Sequence, residues 1–163
     1  WNLVQKLEKY MGNNLKVEIK LEKGAILPKK GESNAMCYDC YAHHVEVLVD
    51  GKVVCNLGFS LKPPVGYGIR LIPRSSLTKF YWSMNNSIGI GDEDYKGTYK
   101  AIFTPLPRYS TYNGSFIMSE FPYKIGERIC QMEIYKRNDF EFEQVEELSG
   151  NDRGGGFGST GLN

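Results

Sequence analysis

The glycine-rich segment 150–163 carries side chains that suit the binding of a nucleotide. It contains, in order, Arg153, Phe157, Gly158, Ser159 and Thr160 within Arg-Gly-Gly-Gly-Phe-Gly-Ser-Thr-Gly. A guanidinium can bind two phosphate oxygens, an aromatic ring can lie flat on a base, and hydroxyls can donate to a terminal phosphate. The glycines leave room for backbone N–H groups to approach a ligand. This spacing indicates an arm that wraps around a nucleotide and is mobile until something binds it.

Three other interpretations of this arm remain open. A Walker loop would need a lysine after the glycines and a flanking strand and helix, which the sequence lacks. An RGG-type RNA tail normally repeats within a basic chain, whereas here 20 Lys and Arg balance 19 Asp and Glu. The third interpretation is a glycine-rich end of the chain that has no function. The same charge balance provides no broad field for a nucleic-acid backbone or an anionic membrane, so phosphate chemistry must use a few local cations.

Four further segments precede the arm. They are Cys37-Tyr38-Asp39, Pro73-Arg74-Ser75-Ser76-Leu77, Asn86 to Gly97 with Gly91-Asp92-Glu93-Asp94-Tyr95 at its centre, and Gly126-Glu127-Arg128-Ile129-Cys130-Gln131. Together with the arm and in this order, they resemble the five motifs of homotrimeric dUTPases. The resemblance spans about three-quarters of the chain. It implies hydrolysis of dUTP to dUMP and pyrophosphate by attack of water on the α-phosphorus.

The resemblance also assigns roles to individual residues. Asp92 would activate the attacking water, although Asp94 remains an alternative base. Tyr95 would stack beneath the deoxyribose and exclude a ribose. A hairpin containing Asn86 and Gly89 would read uracil. The remaining substrate-binding residues of the family pattern are Arg74, Ser75, Ser76 and Gln131, with Arg153, Phe157, Gly158, Ser159 and Thr160 from the arm.

Magnesium is the cofactor that the resemblance implies. A triphosphate carries about four negative charges near neutral pH, so Mg²⁺ would bind across its oxygens and require few protein ligands. Asp39 would reach the metal through water. Arg128 is expected to be a structural charge partner.

Several residues depart from the family pattern. Cys37 and Ser76 stand where the family favours glycine, and Gly91 stands where it favours isoleucine or valine. Lys96-Gly97-Thr98 replaces Arg-Gly-Glu, and a tyrosine-rich stretch from Tyr109 to Tyr123 lengthens the link between the third and fourth motifs. The chain is therefore a divergent member of the family.

Two other functions on the same fold compete with dUTP hydrolysis. A dCTP deaminase shares Arg74-Ser75-Ser76, but its pattern places an essential glutamate where this chain has Ile102. The other is a non-catalytic nucleotide-sensing or protein-binding role.

A zinc site at Cys37, Cys40, His43 and His44 is a further hypothesis. The crowding of these residues disfavours it, since zinc ligands usually form two separated pairs.

The hydrophobic pattern predicts the elements that carry these residues. The interval of the apolar residues in Trp1–Met11 predicts a short helix, and alternation from Lys16 to Glu22 predicts a strand. Val45–Val49, Asp50-Gly51 and Val53–Leu57 predict a hairpin. Further strands are expected at Gly68–Ile72, Tyr95–Phe103 and Arg128–Lys136. We therefore expect an all-β, dUTPase-like antiparallel β-barrel or jelly roll over 1–149, followed by the arm at 150–163.

The sequence also predicts where the protein acts and with what. It has no apolar run long enough to span a membrane and no signal-peptide pattern. The four cysteines are expected to be reduced thiols. We expect a soluble cytoplasmic homotrimer with shared active sites that binds dUTP, without a nucleic-acid or membrane partner.

Overall fold

The computed structural model describes residues 15–112 and 114–152. The predicted helix at Trp1–Met11 and the predicted site residues from Arg153 onward lie outside the described residues. The regular secondary structure of the described part is almost entirely β-strand. Its strands are β1 Glu18–Leu21, β2 Tyr38–Tyr41, β3 His44–Val47, β4 Val53–Asn56, β5 Phe59–Lys62, β6 Tyr67–Pro73, β7 Trp82–Met84, β8 Gly89–Gly91, β9 Lys100–Pro105, β10 Arg108–Ser110, β11 Ser115–Ile117 and β12 Arg128–Lys136.

The strands form two four-stranded antiparallel sheets. The first has the order β2-β12-β6-β8 and the second β3-β4-β9-β7, while β1-β5 and β10-β11 are separate two-stranded pairs. The expected antiparallel all-β fold is confirmed, although the described strands form separate sheets and no single closed barrel. A short 3-10 helix covers Ser75–Lys79. Within residues 15–112 and 114–152, no helix is long and apolar enough to cross a membrane.

One core lies between the two four-stranded sheets. Ile69 and Ile129 enter it from the first sheet and Val53 and Phe103 from the second, all almost fully buried. Phe59 of β5 joins them and stacks on Tyr99 at a ring distance of 5.7 Å. Buried residues alternate with half-buried ones along β4 and with exposed ones at the start of β9, which places one face of the second sheet in this core. The arrangement is that of a jelly-roll sandwich.

Most strands with clear alternation form where the sequence predicts them. β1 lies inside the run from Lys16 to Glu22, and β3 and β4 form the predicted hairpin, closed by Gly51 at φ +81°. The predicted strand Arg128–Lys136 is β12, with the same bounds. The predicted strand Tyr95–Phe103 was wrong at its start, because β9 begins at Lys100. Residues 95–98 instead belong to the loop that carries part of the candidate site.

Candidate functional site

Asp39 is the buried polar centre of one part of the site. The antiparallel pairing of β2 with β12 places it opposite Gln131, whose Nε2 donates to Asp39 Oδ1 at 3.2 Å. Arg128 Nη1 donates to the other carboxylate oxygen at 3.1 Å. Arg74 Nε lies 3.6 Å from Oδ1. Although Asp39 is only 5% exposed, its charge is compensated by two guanidinium groups and an amide.

Arg74 stands at the junction between β6 and the 3-10 helix. Its Nη1 donates to the backbone oxygen of Arg128 at 3.0 Å, so this guanidinium contacts both Asp39 and the start of β12. Ser75 is exposed, whereas the Ser76 hydroxyl oxygen is buried and has no hydrogen-bond partner among the described residues. Arg74, Ser76, Lys79 and Arg128 line one pocket of about 460 Å³. Three cations around one pocket provide a suitable environment for phosphate oxygens.

A second cleft, of about 250 Å³, has the composition expected of a nucleoside site. Its walls include Asn86, Gly89, Tyr95 and Tyr99. A Cβ at Gly89 would lie 3.1 Å from Asn86 Nδ2, so glycine lets the Asn86 amide lie close to the backbone. The predicted uracil-reading residues therefore lie together in one concave surface.

The segment that carries Asn86 is a corner between sheets. β7 pairs with β9 and β8 pairs with β6, so the two strands that flank the turn belong to different sheets. Ser87, at φ +53°, is the only non-glycine with positive φ within residues 15–112 and 114–152. The structure thus differs from the predicted hairpin, because sheet membership is set by distant strands that the local pattern does not reveal.

Tyr95 belongs to the loop between β8 and β9, and its side chain folds back onto that loop. Its hydroxyl donates to the Thr98 backbone oxygen at 3.3 Å, and its side chain remains 45% exposed. A Cβ at Gly97 would lie 2.5 Å from that hydroxyl, so a larger residue would displace the ring. The Tyr95 ring meets Tyr99 edge-on, with ring centroids 5.2 Å apart. This packing presents the ring to the cleft, as the proposed contact with a sugar requires.

Asp92 follows β8 directly and is exposed. Its backbone oxygen accepts a hydrogen bond from Tyr95 N–H at 3.2 Å, which closes the turn. Asp92 and Asp94 both line a groove of about 360 Å³, together with Glu93 and Arg137. Since both residues lie at the same groove, this geometry leaves Asp94 as an alternative to Asp92.

Sequence reasoning missed Tyr99. Its hydroxyl is buried without a hydrogen-bond partner in the described part of the chain. Burial first, and then the electrostatic influence of Tyr95 and Asp92, raise the pKa of Tyr99 to about 12. The motif spacing contains no signal for this residue. The one sequence signal for its packing was the small residue Gly91 eight positions before the large Tyr99.

The structure assembles the predicted residues into three separate groups that do not share one cleft. Arg74 and Ser76 line the pocket beside Asp39, Asn86 and Tyr95 line the nucleoside cleft, and Asp92 lines the groove beyond β8. A complete site within a single chain is therefore not formed by residues 15–112 and 114–152.

The donor set around Asp39 suits a metal ion that arrives with the substrate. Because Asp39 is already bound by Arg74, Arg128 and Gln131, it fits contact through water better than direct coordination. Among the described residues, no group of three or more His, Cys, Asp and Glu side chains is placed to hold an ion. Cys40 lies in the core opposite Cys130, whereas His44 is exposed on β3. The side chains considered for zinc thus point to different environments.

Comparison with known proteins gives a consistent result. The dUTPase family model matches residues 23–161. The chain is 35% identical over 145 residues to a deoxyuridine 5'-triphosphate nucleotidohydrolase of Solanum lycopersicum, covering 88% of this chain and 79% of the relative. The fold resembles that of the Staphylococcus bacteriophage 80alpha dUTPase with dUPNHPP, with a TM-score of 0.71 at 25% identity, covering 90% of this chain and 99% of the other.

A second solved structure has a similar fold. It is a mutant dUTPase from phage phi11 of S. aureus, described for the coordination of a structural Mg(II) ion, with a TM-score of 0.65 at 19% identity. The match covers 83% of this chain and 99% of the other. At this identity the likeness concerns the fold alone.

Proposed function

The chain belongs to the dUTPase family, and we propose that it hydrolyses dUTP to dUMP and pyrophosphate by attack of water on the α-phosphorus. The observation that carries the proposal is the order of the five motifs within a family match that extends over residues 23–161. The curated relatives bear the name of this activity at 32–38% identity. Such a reaction lowers dUTP and supplies dUMP.

Asp92 is the proposed general base. An ionised carboxylate can accept the proton of the attacking water, provided that it lies within hydrogen-bonding reach. Asp92 is exposed at the end of a short strand, which leaves it accessible to a bound nucleotide. Its backbone is fixed by the pairing of Gly91 with Ile69 and by the hydrogen bond from Tyr95 N–H.

Arg74 and Gln131, with Ser75 and Ser76, are proposed to hold the phosphate groups. Arg74 is partly satisfied by Asp39, but its guanidinium has five N–H donors and can still bind phosphate. The Ser76 hydroxyl has no hydrogen-bond partner among the described residues, so it can donate to a phosphate oxygen. Bound Mg²⁺ would neutralise charge on the triphosphate oxygens, and Asp39 would contact it through water.

The cleft at Asn86 is proposed to select deoxyuridine. The Asn86 amide can donate to and accept from a base edge, and it lies close to the backbone of Gly89. This closeness is proposed to exclude a thymine methyl. Tyr95 would contact the deoxyribose, where a 2′-hydroxyl would collide with the ring. Selectivity then comes from shape and from polar groups that a wrong base would leave unpaired.

A homotrimer with shared sites is proposed because the groups are separated in one chain. The segment after β12 exposes Phe140, Phe142 and Leu148, of which Phe142 is fully exposed. Apolar side chains in such a row favour burial against another copy. The arm from residue 150 is proposed to close over the nucleotide, with Arg153 on the phosphates and Phe157 on uracil. All four cysteines are free thiols, which fits a cytoplasmic location.

The test is a turnover assay that reports pyrophosphate for dUTP, dTTP, dCTP and UTP, with light scattering on the same sample. We expect hydrolysis of dUTP, much slower turnover of the other three and a trimer mass. Equal turnover of UTP and dUTP would reject the role of Tyr95. Release of ammonia from dCTP would favour deamination, a reaction for which Ile102 on β9 offers no carboxylate. A monomer under active conditions would reject shared sites.

A further inference from the structure

The residue that follows the proposed base makes contacts that the reaction scheme leaves unused. Glu93 Oε2 accepts a hydrogen bond from Gly66 N–H at 2.8 Å. The same oxygen lies 3.4 Å from Arg137 Nη1. These partners precede Glu93 by 27 positions and follow it by 44. The contacts therefore tie the turn after β8 to two distant parts of the chain.

Gly66, Glu93 and Arg137 close a ring of contacts, which we call the latch. Arg137 N–H donates to the backbone oxygen of Gly66 at 2.8 Å, which completes the ring. Gly66 has φ +80°, and a Cβ there would meet no atom within 4 Å. Glycine is thus required for its backbone conformation and not for space. Asp139 holds the Arg137 guanidinium from the other side, at 2.9 Å from Nε.

Asp92 lies between two fixed neighbours. On one side, Gly91 is paired with Ile69 in the first sheet. On the other side, the Glu93 side chain is held by the latch. The direction of the Asp92 side chain depends on the backbone at both neighbours. Loss of the latch would leave the turn fixed by the strand on one side and by one internal hydrogen bond.

We propose that Glu93 is a positioning residue that acts through Gly66 and Arg137 to hold Asp92 in the geometry for water activation. The inference rests on the proposed function. A misplacement of about 1 Å can cost on the order of 10²-fold in rate. Arg137 also compensates the negative charge that Glu93 brings beside Asp92, which would otherwise repel the triphosphate.

The test compares Glu93→Ala with Glu93→Gln in steady-state hydrolysis of dUTP. Alanine removes both side-chain contacts, whereas glutamine keeps an acceptor for Gly66 N–H and loses the charge pair with Arg137. We expect kcat to fall about 10- to 100-fold in Glu93→Ala and clearly less in Glu93→Gln. KM and the affinity for dUPNHPP should stay within about threefold of wild type, because the binding residues are unchanged.

Glu133→Ala is the matched control. Glu133 Oε2 lies 3.4 Å from Arg70 Nη1, the same separation as in the latch pair, and it also joins β12 to β6. It should retain wild-type kcat. A melting temperature measured for every variant separates positioning from unfolding, and amide exchange at residues 92–95 should accelerate in Glu93→Ala alone.

The outcomes separate the latch from the proposed function. Wild-type kcat in Glu93→Ala would overturn the latch while leaving dUTP hydrolysis intact. Equal losses in the alanine and glutamine variants would assign the effect to the charge pair with Arg137 and overturn the role of the Gly66 contact. Parallel losses of kcat, dUPNHPP affinity and melting temperature would indicate a general structural role. A wild-type protein that does not hydrolyse dUTP would reject both the function and the latch.

Discussion

The ring of Tyr99 occupies the space that a side chain at Gly91 would need. A Cβ at Gly91 would lie 2.7 Å from Tyr99 Cε1 and 2.8 Å from Cζ, and closer still to the hydroxyl oxygen. The resemblance places isoleucine or valine at the position of Gly91, and the ring of Tyr99, which immediately precedes β9, fills the space of that side chain. The Tyr99 ring therefore forms part of the wall of the nucleoside cleft and compensates for the absence of a side chain at Gly91.

Gly91→Ala should destabilise the protein by about 1–3 kcal/mol, the usual cost of overpacking a filled interior. The Tyr99 ring cannot yield easily, because it packs on Phe59 and Tyr95. Urea unfolding of Gly91→Val, Tyr99→Val and the double variant measures the coupling between the two positions. We expect the double variant to be more stable than Gly91→Val alone. Additive effects would contradict the compensation.

Tyr99→Phe should leave stability at neutral pH unchanged or raised, because the buried hydroxyl has no partner among the described residues. In alkaline solution we expect the wild-type protein to lose stability. The pKa of Tyr99 rises to about 12 in the folded protein, chiefly by burial, whereas an unfolded tyrosine ionises near a pKa of about 10. The unfolded state then binds fewer protons, so wild-type stability should fall between about pH 10 and 12.

Urea unfolding of wild type and Tyr99→Phe over this pH range checks whether stability falls as the pH rises. The variant should lose less stability from pH 9 to pH 12. Burial also raises the pKa of Cys55 to about 12, and that contribution remains in both proteins. Identical pH dependence in the two proteins would contradict the buried state of the Tyr99 hydroxyl.

Local sequence signals predicted those parts of the fold that depend on alternation alone. β12 and the β3–β4 hairpin appear where the pattern placed them, because apolar residues at every second position bury one face. The start of β9 was misjudged because Gly97 allows the Tyr95 ring to fold back onto the loop. Motif order predicted the grouping of Asn86, Gly89 and Tyr95. It could not predict the latch, whose members meet only after the sheets form.

Asp92→Asn should lower kcat by about 10²-fold or more, since the amide keeps the shape of the side chain but cannot accept a proton. The affinity for dUPNHPP should change only a few-fold. Asp94→Asn is the comparison, because both carboxylates line the same groove. An active Asp92→Asn protein together with an inactive Asp94→Asn protein would move the base to Asp94.

Asp39→Asn should reduce the stability of the protein. The substitution leaves Arg74 and Arg128 facing each other without the carboxylate that lies 3.1 Å from Arg128 Nη1. Partial exposure of Arg128 moderates the cost, so we expect about 1–3 kcal/mol in urea unfolding. Glu133→Gln breaks a partly exposed pair and should cost no more than about 1 kcal/mol. Equal costs in the two variants would contradict a buried charge centre at Asp39.

Removal of residues 150–163 should leave a folded trimer that has lost most of its activity. The segment adds little to the core, since its only large apolar residues are Phe157 and Leu162, so the melting temperature should barely change. Its proposed effect is to cover uracil with Phe157, to place Arg153 on the phosphates and to exclude water other than the nucleophile. Ordering so many glycines costs conformational entropy, so closure should need the triphosphate and dUMP should fail to induce it. Phe157→Ala should reproduce part of the loss in kcat/KM. Full activity in the truncated protein would show that the segment has no role in catalysis.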